Sequence, residues 1–362
     1  MICYNYFGDK MKRKVIILCI ALIVPIIYWI IDSNRNHFID NKVSDYGELS
    51  IKDGKLVDKN GEIAHLRGLS SHGIYWFGDY YTYDNLKTLV DTWNMNVFRI
   101  AVYTNPDDDG YVKYPEVMDK VYQIIDNCIK LDIYVVIDWH ILNDNNPNTY
   151  KEYAIKFFDE ISLKYKDKPN LLYEICNEPN GEDVTWNNDI KPYAEELIPI
   201  IRKNSPNSLI LVGTSDWSKG IEEVSYNLIN DDKVMYVLHG YPNGGMDIVR
   251  RGIELSSENK IPIIITETAA TDSTGDGELF IDYFKDCLDF FENNNVSWIV
   301  WNLSEKRENS SIVVPEEIRW ETWIREKKKT QEEIDKEEYD LNNYLSEHGQ
   351  LIKELFIKYN KK

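Results

Sequence analysis

The chain has 362 residues, 43% of them hydrophobic, and a formal net charge of -20. That is apolar material for one large α/β barrel or two average domains. The acidic balance argues against a nucleic-acid or anionic-membrane partner, since phosphate binding needs a basic surface, and a neutral or soluble polymeric substrate fits better.

At the N-terminus, Lys10, Lys12, Arg13 and Lys14 precede an unbroken apolar run from Val15 to Ile31, closed by Asp32. As a helix rising about 1.5 Å per residue the run reaches roughly 25 Å, just short of a hydrocarbon thickness of about 30 Å. It is longer than the usual secretory core and no small-x-small site follows it. Residues 1–32 therefore read as a cytoplasmic stub and uncleaved signal anchor, with a cleaved signal peptide as the alternative. In both cases the positive flank stays inside and the chain after Asp32 is exported, secreted or tethered at the cell surface by a helix in the membrane. Residues 33–46 form a polar tether, and residues 47–362 are expected to make one globular domain. Cys3 and Cys19 lie before or within the apolar run. The remaining Cys128, Cys176 and Cys287 are odd in number and far apart, which points to buried free thiols rather than a disulfide framework.

Leu49 to Val57 reads as a β-hairpin turning at Asp53-Gly54. Apolar strand candidates then recur at Ile63–Leu69, Val97–Val102, Tyr134–Trp139, Leu171–Cys176, Leu209–Val212, Val234–Leu238, Ile263–Thr266 and Val296–Trp301. Helical periodicity fills the gaps. Leu86, Leu89, Val90 and Trp93 follow an Asp84 cap, Val117, Val121, Ile124 and Cys128 follow Pro115, and Tyr153, Phe157, Ile161 and Tyr165 make a third stripe. Such alternation predicts an α/β fold closed as a (β/α)8 TIM barrel rather than an open doubly wound sheet. The first strand runs into L-S-S-H-G-I-Y-W, which is no glycine-rich phosphate cradle, so no nucleotide cofactor is expected. No Cys/His cluster has metal-ligand spacing. Two acidic runs, Asp107 to Gly110 and Asp272 to Gly277, miss the calcium-loop pattern, so no metal is expected either. Residues 316–340 turn to Glu, Lys and Arg with Trp320, Trp323 and Ile324 interleaved, a charged helical insertion, and Leu351 to Lys358 reads as the last barrel helix.

A barrel carries its chemistry at the C-terminal ends of its strands. Two candidate strands end in carboxylates: L-L-Y-E-I-C-N-E-P, Leu171 to Pro179, leads to Glu178, and I-P-I-I-I-T-E leads to Glu267. By the two-residue pleat Glu174, Cys176 and Glu178 share a face, with Glu178 last. The fourth and seventh strands lie across the barrel, so the two carboxylates can meet over its mouth, as glycosidic bond cleavage requires. A separation of about 5 to 5.5 Å suits retention and about 6.5 to 9.5 Å inversion, and the spacing in sequence leaves both open. The other strand ends carry His72, Arg99, His140, Asn177, His239, Tyr241 and Trp301. Arg99 is placed to keep one carboxylate charged and Tyr241 to donate its hydroxyl to the same group. The histidines, with His65 as a fourth, suit sugar hydroxyls. Tyr75, Trp76, Tyr103, Trp217 and Trp301 fall in the expected βα loops, where aromatic planes can take the C–H faces of sugars.

Five motifs carry a resemblance: L-R-G-L-S-S-H-G (Leu66 to Gly73), N-V-F-R-I-A-V-Y-T (Asn96 to Thr104), V-V-I-D-W-H-I-L (Val135 to Leu142), Y-E-I-C-N-E-P-N (Tyr173 to Asn180) and S-W-I-V-W-N-L (Ser297 to Leu303). From about Leu49 to Ser304 the chain resembles the bacterial endoglucanases (cellulases) of glycoside hydrolase family five. The resemblance implies a retaining endo-β-1,4-glucanase acting on β-1,4-linked glucan, with Glu178 as acid/base and Glu267 as nucleophile. It further implies that Arg99, His140, Asn177, His239, Tyr241 and Trp301 are active-site residues and that His72, Trp76, Tyr103, Trp217, Lys306 and Glu308 are glucan-binding positions. Two departures stand out. Thr268 and Ala269 follow Glu267 where Trp-Gly is common, and Gly240 replaces an aromatic between His239 and Tyr241; both are expected to remove bulk beside the site. A mannanase, mixed-linkage glucanase or xyloglucanase on the same barrel is the alternative within the enzymes, and an inactive surface glucan-binding protein is the alternative outside them. No cellulose-binding module is visible, which favours soluble or amorphous glucan.

Overall fold

Asp53 and Gly54 sit at φ 52° and 75°, the left-handed pair that a two-residue hairpin turn requires. They join β1 (Ser50–Lys52) to β2 (Lys55–Val57), which pair antiparallel from Lys52↔Lys55 to Ser50↔Val57. The computed structural model describes residues 38–166, 168–319 and 340–361. After the hairpin come β3 (Arg67–Ser71), β4 (Val97–Tyr103), β5 (Tyr134–His140), β6 (Leu171–Glu174), β7 (Ile210–Gly213), β8 (Val234–Gly240), β9 (Ile263–Thr268) and β10 (Trp298–Leu303). Each pairs in parallel with the next, and β10 returns to β3 to close the barrel. Between them run the helices that the 3.6-residue period anticipates.

The described residues fall into two units. In the smaller one the Ile39 amide donates to the Asn360 carbonyl at 2.8 Å and Phe38 bridges Lys361. The larger, Asp40–Phe356, holds the barrel. The expected anchor at 1–32 and nearly all of the charged insertion lie outside the described residues. No helix among the described residues is long and apolar enough to cross a membrane.

Four local expectations need correction. Residues 40–46, expected to belong to a polar tether, are folded: Val43–Tyr46 is a short helix, and Val43 packs into the barrel floor. The first barrel strand begins at Arg67, not Ile63. Ile63 bridges Val57 instead, and Ala64 and Leu66 pass beneath the barrel into its floor. Helix Tyr83–Trp93 is capped by Thr82, whose hydroxyl accepts from the Asn85 amide at 3.2 Å, while Asp84 stands in the first turn beside the positive helix end. In helix Lys151–Lys164 the buried stripe is Ala154, Phe157, Phe158 and Ile161, and Tyr153 is exposed. Helix Val117–Lys130 buries the expected Val117, Val121, Ile124 and Cys128.

The floor is aliphatic. Leu66, Val97, Val136, Leu172, Leu211, Met235, Val237, Ile264 and Ile299 cluster inside the lower barrel, and Val43, Leu49, Leu56 and Ala64 close it from below. The hairpin thus acts as a plug. Burying a side chain of this size contributes about 1.5–3 kcal/mol, so the floor holds much of the fold's stability. Cys128, Cys176 and Cys287 are buried free thiols.

Candidate active site

Alternate residues of each strand point into the barrel. Counting up from the floor, Val97 is followed by Arg99 and Ala101, Val136 by Asp138 and His140, Leu172 by Glu174, Val237 by His239 and Tyr241, and Ile264 by Thr266. One pleat above the floor the interior turns from aliphatic to polar. β9 then breaks the period. Its partners on β8 step from Leu238↔Ile265 to His239↔Glu267, and on β10 from Trp298↔Ile265 to Val300↔Thr268. The extra residue is a bulge, and it lets the adjacent Thr266 and Glu267 both reach inward, to Glu174 at 2.9 Å and Arg99 at 3.1 Å.

β6 ends at Glu174, so Glu178 is not the strand tip that strict alternation predicts. Beyond Glu174 the chain leaves the pleat and runs close over β7, where a Cβ on Gly213 would lie 2.1 Å from the Cys176 carbonyl oxygen. Only glycine fits there. The detour brings Asn177 onto Arg99 at 2.6 Å and turns Glu178 into the mouth.

Arg99 is fully buried and organises one side of the site. Its Nε and Nη2 donate to the two oxygens of Glu174 at 2.8 and 2.9 Å, its Nη1 donates to Glu267 Oε2 at 3.1 Å, and its Nη2 lies 3.0 Å from Asp138 Oδ2. Tyr241 donates its hydroxyl to Glu267 Oε1 at 2.7 Å. One guanidinium cannot neutralise three carboxylates. Burial pushes the Asp138 carboxyl well above the usual range and the Glu174 carboxyl upward, with Arg99 opposing both. Burial works against the charge on Arg99 too, but Asp138 and Glu174 hold it protonated. Burial, and then the charge of Glu267, keeps the Tyr241 hydroxyl a donor.

Glu178 lives in a different environment. Its Oε1 lies 2.8 Å from His239 Nδ1, and burial lifts its carboxyl to about 7 against the opposing pull of His140, Lys219 and Arg99. Burial also lowers His239 to about 4 and His140 to about 3, so both rings are neutral at neutral pH. A carboxylate oxygen of Glu178, a ring nitrogen of His239 and a carboxylate oxygen of Glu267 all lie within 4.8 Å of one another. That is close to the separation of about 5–5.5 Å expected for retention and short of the 6.5 Å or so that admits an extra water. Three such donors could in principle grip a cation, but Glu267 is already tied to Arg99 and Tyr241, and His239 to Glu178.

The carboxylates open into a cleft of about 630 Å³. On one side His140 stacks on Trp301, with ring centres 5.5 Å apart and planes 9° from parallel, while His72 lies 5.0 Å from Trp301 and 5.8 Å from Tyr103. His72 Nε2 is 3.1 Å from Lys306 Nζ, which pairs with Glu308 at 2.5 Å, and Asn302 donates to Glu308 at 2.7 Å. Trp76 does not line the cleft itself; it is exposed, with its ring 5.2 Å from Tyr103. On the other side Trp217 is 40% exposed in a run of three left-handed residues, Asp216, Trp217 and Ser218. Such a run costs roughly 1–2 kcal/mol per residue. The Trp217 amide bonded to the Pro179 carbonyl at 3.1 Å and the Ser218 hydroxyl bonded to the Asn177 carbonyl at 2.7 Å hold it against the Glu178 segment. Two expected residues fall elsewhere: Tyr75 stacks on Tyr114 away from the cleft, and His65 lies at the floor end, 3.8 Å from Glu292.

The model of the cellulase family, glycosyl hydrolase family 5, matches residues 57–307. The chain belongs to this family. It is 44% identical to Endoglucanase A of Evansella cellulosilytica over 255 residues, 70% of this chain and 52% of that protein. It is 42% identical to Endoglucanase 5 of Pectobacterium carotovorum over 273 residues, 75% of this chain and 54% of that protein. The chain thus spans about half the length of these curated relatives. Among solved structures it is similar to the catalytic domain of a Thermobifida fusca endoglucanase in complex with cellotetraose, with TM-score 0.75 at 30% identity, covering 88% of this chain and 99% of that one.

Within this family-5 barrel, sequence reasoning passed over Asp138 and Thr266, which bind the site's own residues from behind, and Lys219, Leu142 and Ile248, which line the cleft. Asp138 was legible as the acid two residues before His140. Lys219 had no signal, since only the left-handed turn brings it over. Of the residues at the two departures, Ala269 is buried against Ala101, Tyr241 and Trp301 at the wall of the cleft, whereas Gly240 and Thr268 face away from it. The open side of Gly240 faces Met246 and Val249, at 3.1 Å from a Cβ, and the Thr268 hydroxyl donates to the Gly240 carbonyl at 2.6 Å. Neither lines the cleft.

Proposed function

We propose that the chain is an exported retaining endo-β-1,4-glucanase. Glu267 attacks the anomeric carbon of a bound glucosyl unit while Glu178 gives its proton to the departing glycosidic oxygen. A water then enters, Glu178 takes its proton, and its oxygen displaces Glu267 from the sugar. The observation that carries this reading is the pair itself: two carboxyls within 4.8 Å, one facing Arg99 and Tyr241, the other buried against a neutral histidine with its carboxyl lifted to about 7. Environments that different suit one nucleophile and one acid. Asn177, held by Arg99, is positioned for a sugar hydroxyl beside the reacting carbon.

Family membership and the endoglucanase relatives support a β-1,4-glucan as the substrate. Trp301, His72, Tyr103 and Trp76, with Lys306 and Glu308, would hold its non-reducing side, and Trp217 the leaving side beyond Glu178. Residues 1–32 would direct export and, if uncleaved, anchor the barrel to the membrane. The test is Glu267→Gln, which retains the shape and loses the nucleophile. Release of reducing ends from a soluble cellulose derivative should fall at least about a thousandfold. Turnover at the wild-type rate would overturn the assignment, and side-by-side rates on mannan, mixed-linkage glucan and xyloglucan would reassign the substrate if one of them exceeded the cellulosic rate.

A further inference from the structure

Behind the proposed acid lies a buried relay that no part of the mechanism above uses. Glu178 Oε1 is 2.8 Å from His239 Nδ1, His239 Nε2 is 2.9 Å from Thr266 Oγ1, and Thr266 Oγ1 is 2.9 Å from Glu174 Oε1. Hydrogen-bond direction can be followed through it from the far end. Both oxygens of Glu174 accept from the Arg99 fork, at 2.8 and 2.9 Å, the bidentate arrangement that favours an ionised carboxylate against the upward push of burial. The single Thr266 proton therefore points to Glu174, and the threonine oxygen can only accept from the other side. His239 must then carry its proton on Nε2. A neutral imidazole has one N–H, so Nδ1 is left with a bare lone pair facing Glu178. The only bond open at 2.8 Å is one in which Glu178 supplies the hydrogen.

We infer that Thr266 is a positioning residue: by fixing the Nε2-protonated tautomer of His239 it keeps an acceptor, not a donor, against Glu178 and so holds Glu178 in its protonated, acid form. The inference rests on the reading of Glu178 as the acid. It also accounts for the bulge in β9, because only with the extra residue do Thr266 and Glu267 both reach inside. The other charged or titratable groups that face Glu178 are His140, Lys219, Arg99, Asp138, Glu174, Tyr241 and Glu267. None of them contacts Nε2 of His239 within hydrogen-bond reach; Glu174 Oε1 is 3.8 Å away.

In Thr266→Val the hydroxyl is lost with little change in shape. His239 is then free to place its proton on Nδ1, donate to Glu178 and favour the carboxylate. The alkaline limb of kcat/KM on a soluble cellulose derivative should move to lower pH by about one unit, the scale of one hydrogen bond exchanged between protonation states. Thr266→Ser should restore the wild-type profile. The nitrogen resonances of His239 in ring-labelled enzyme read the tautomer directly: Nε2-protonated in the wild type and serine variant, Nδ1-protonated in the valine variant. A wild-type ring protonated on Nδ1 overturns the inference without any variant. So does a valine variant that cleaves substrate with an unmoved alkaline limb. Loss of the underlying reading would look different, as a Glu178→Gln variant that cleaves at the wild-type rate.

Discussion

At the floor of the barrel Leu66, Val136, Leu211 and Ile264 are completely buried; one or two pleats higher Arg99, Asp138, Glu174, Asn177 and Thr266 are buried as completely. The floor side chains pack against one another and against the hairpin plug. The upper ones satisfy each other through hydrogen bonds and ion pairs, apart from Asp138 Oδ1, which has no partner. Equal burial thus stands for opposite investments. Apolar burial stabilises the fold, whereas buried charges pay a desolvation cost that their pairing at best offsets. What the upper layer gains is fixed orientation of two carboxyls beneath a cleft walled by Tyr103, Tyr241 and Trp301.

Substitutions at the two ends should separate those roles. The largest effect is expected for Arg99→Met, which strands Glu174, Asp138 and Glu267 without their shared cation. Unfolding stability should drop by about 3–5 kcal/mol and cleavage should be lost, measured by denaturant titration and reducing-end release; a variant of wild-type stability would show that the hub is not holding the layer. At the floor, Leu66→Ala should cost about 2–5 kcal/mol with kcat/KM unchanged at temperatures where the variant remains folded. A parallel fall in activity would erase the distinction between the ends. Tyr241→Phe removes one of the two donors to Glu267 and should cost roughly 1.5–3 kcal/mol of transition-state stabilisation, read as kcat/KM, with the melting temperature nearly unmoved.

The smallest and most diagnostic effect is on pH. Glu178 must be protonated to act as acid, and its carboxyl is lifted by burial from 4.5 to about 7. Activity should hold below that value and fall as pH rises through it. The same shift carries a stability consequence of definite sign. The folded state retains a proton there that the unfolded chain has released, so this group's contribution is full below 4.5 and fades as pH climbs to about 7. Glu178→Gln should flatten the alkaline limb in any residual activity.

The chain's periodicities made the barrel legible. Eight β-rich runs of the right length, separated by helical stripes, left one closed architecture, and turn chemistry at Asp53-Gly54 gave the hairpin. Strand ends were legible as places where polar residues accumulate, which is how Arg99, His140, Asn177, His239 and Tyr241 came into view. Long-range details were not. Ile63 reads as strand but pairs with the hairpin, and His65 and Tyr75 look like the residues that line the cleft while lying outside it.

By itself, then, the sequence determined the repeat of strand and helix and the apolar floor, because these follow from spacing of 2 and 3.6 residues and from local composition. The tertiary structure alone decided how Glu178 and Glu267 meet. A bulge in β9 overrides the alternation that would turn one of Thr266 and Glu267 outward, and a detour over Gly213 carries Glu178 past the end of its strand. It also decided which carboxyl holds a proton, since burial and the direction of hydrogen bonds depend on side chains up to 168 residues apart in the chain.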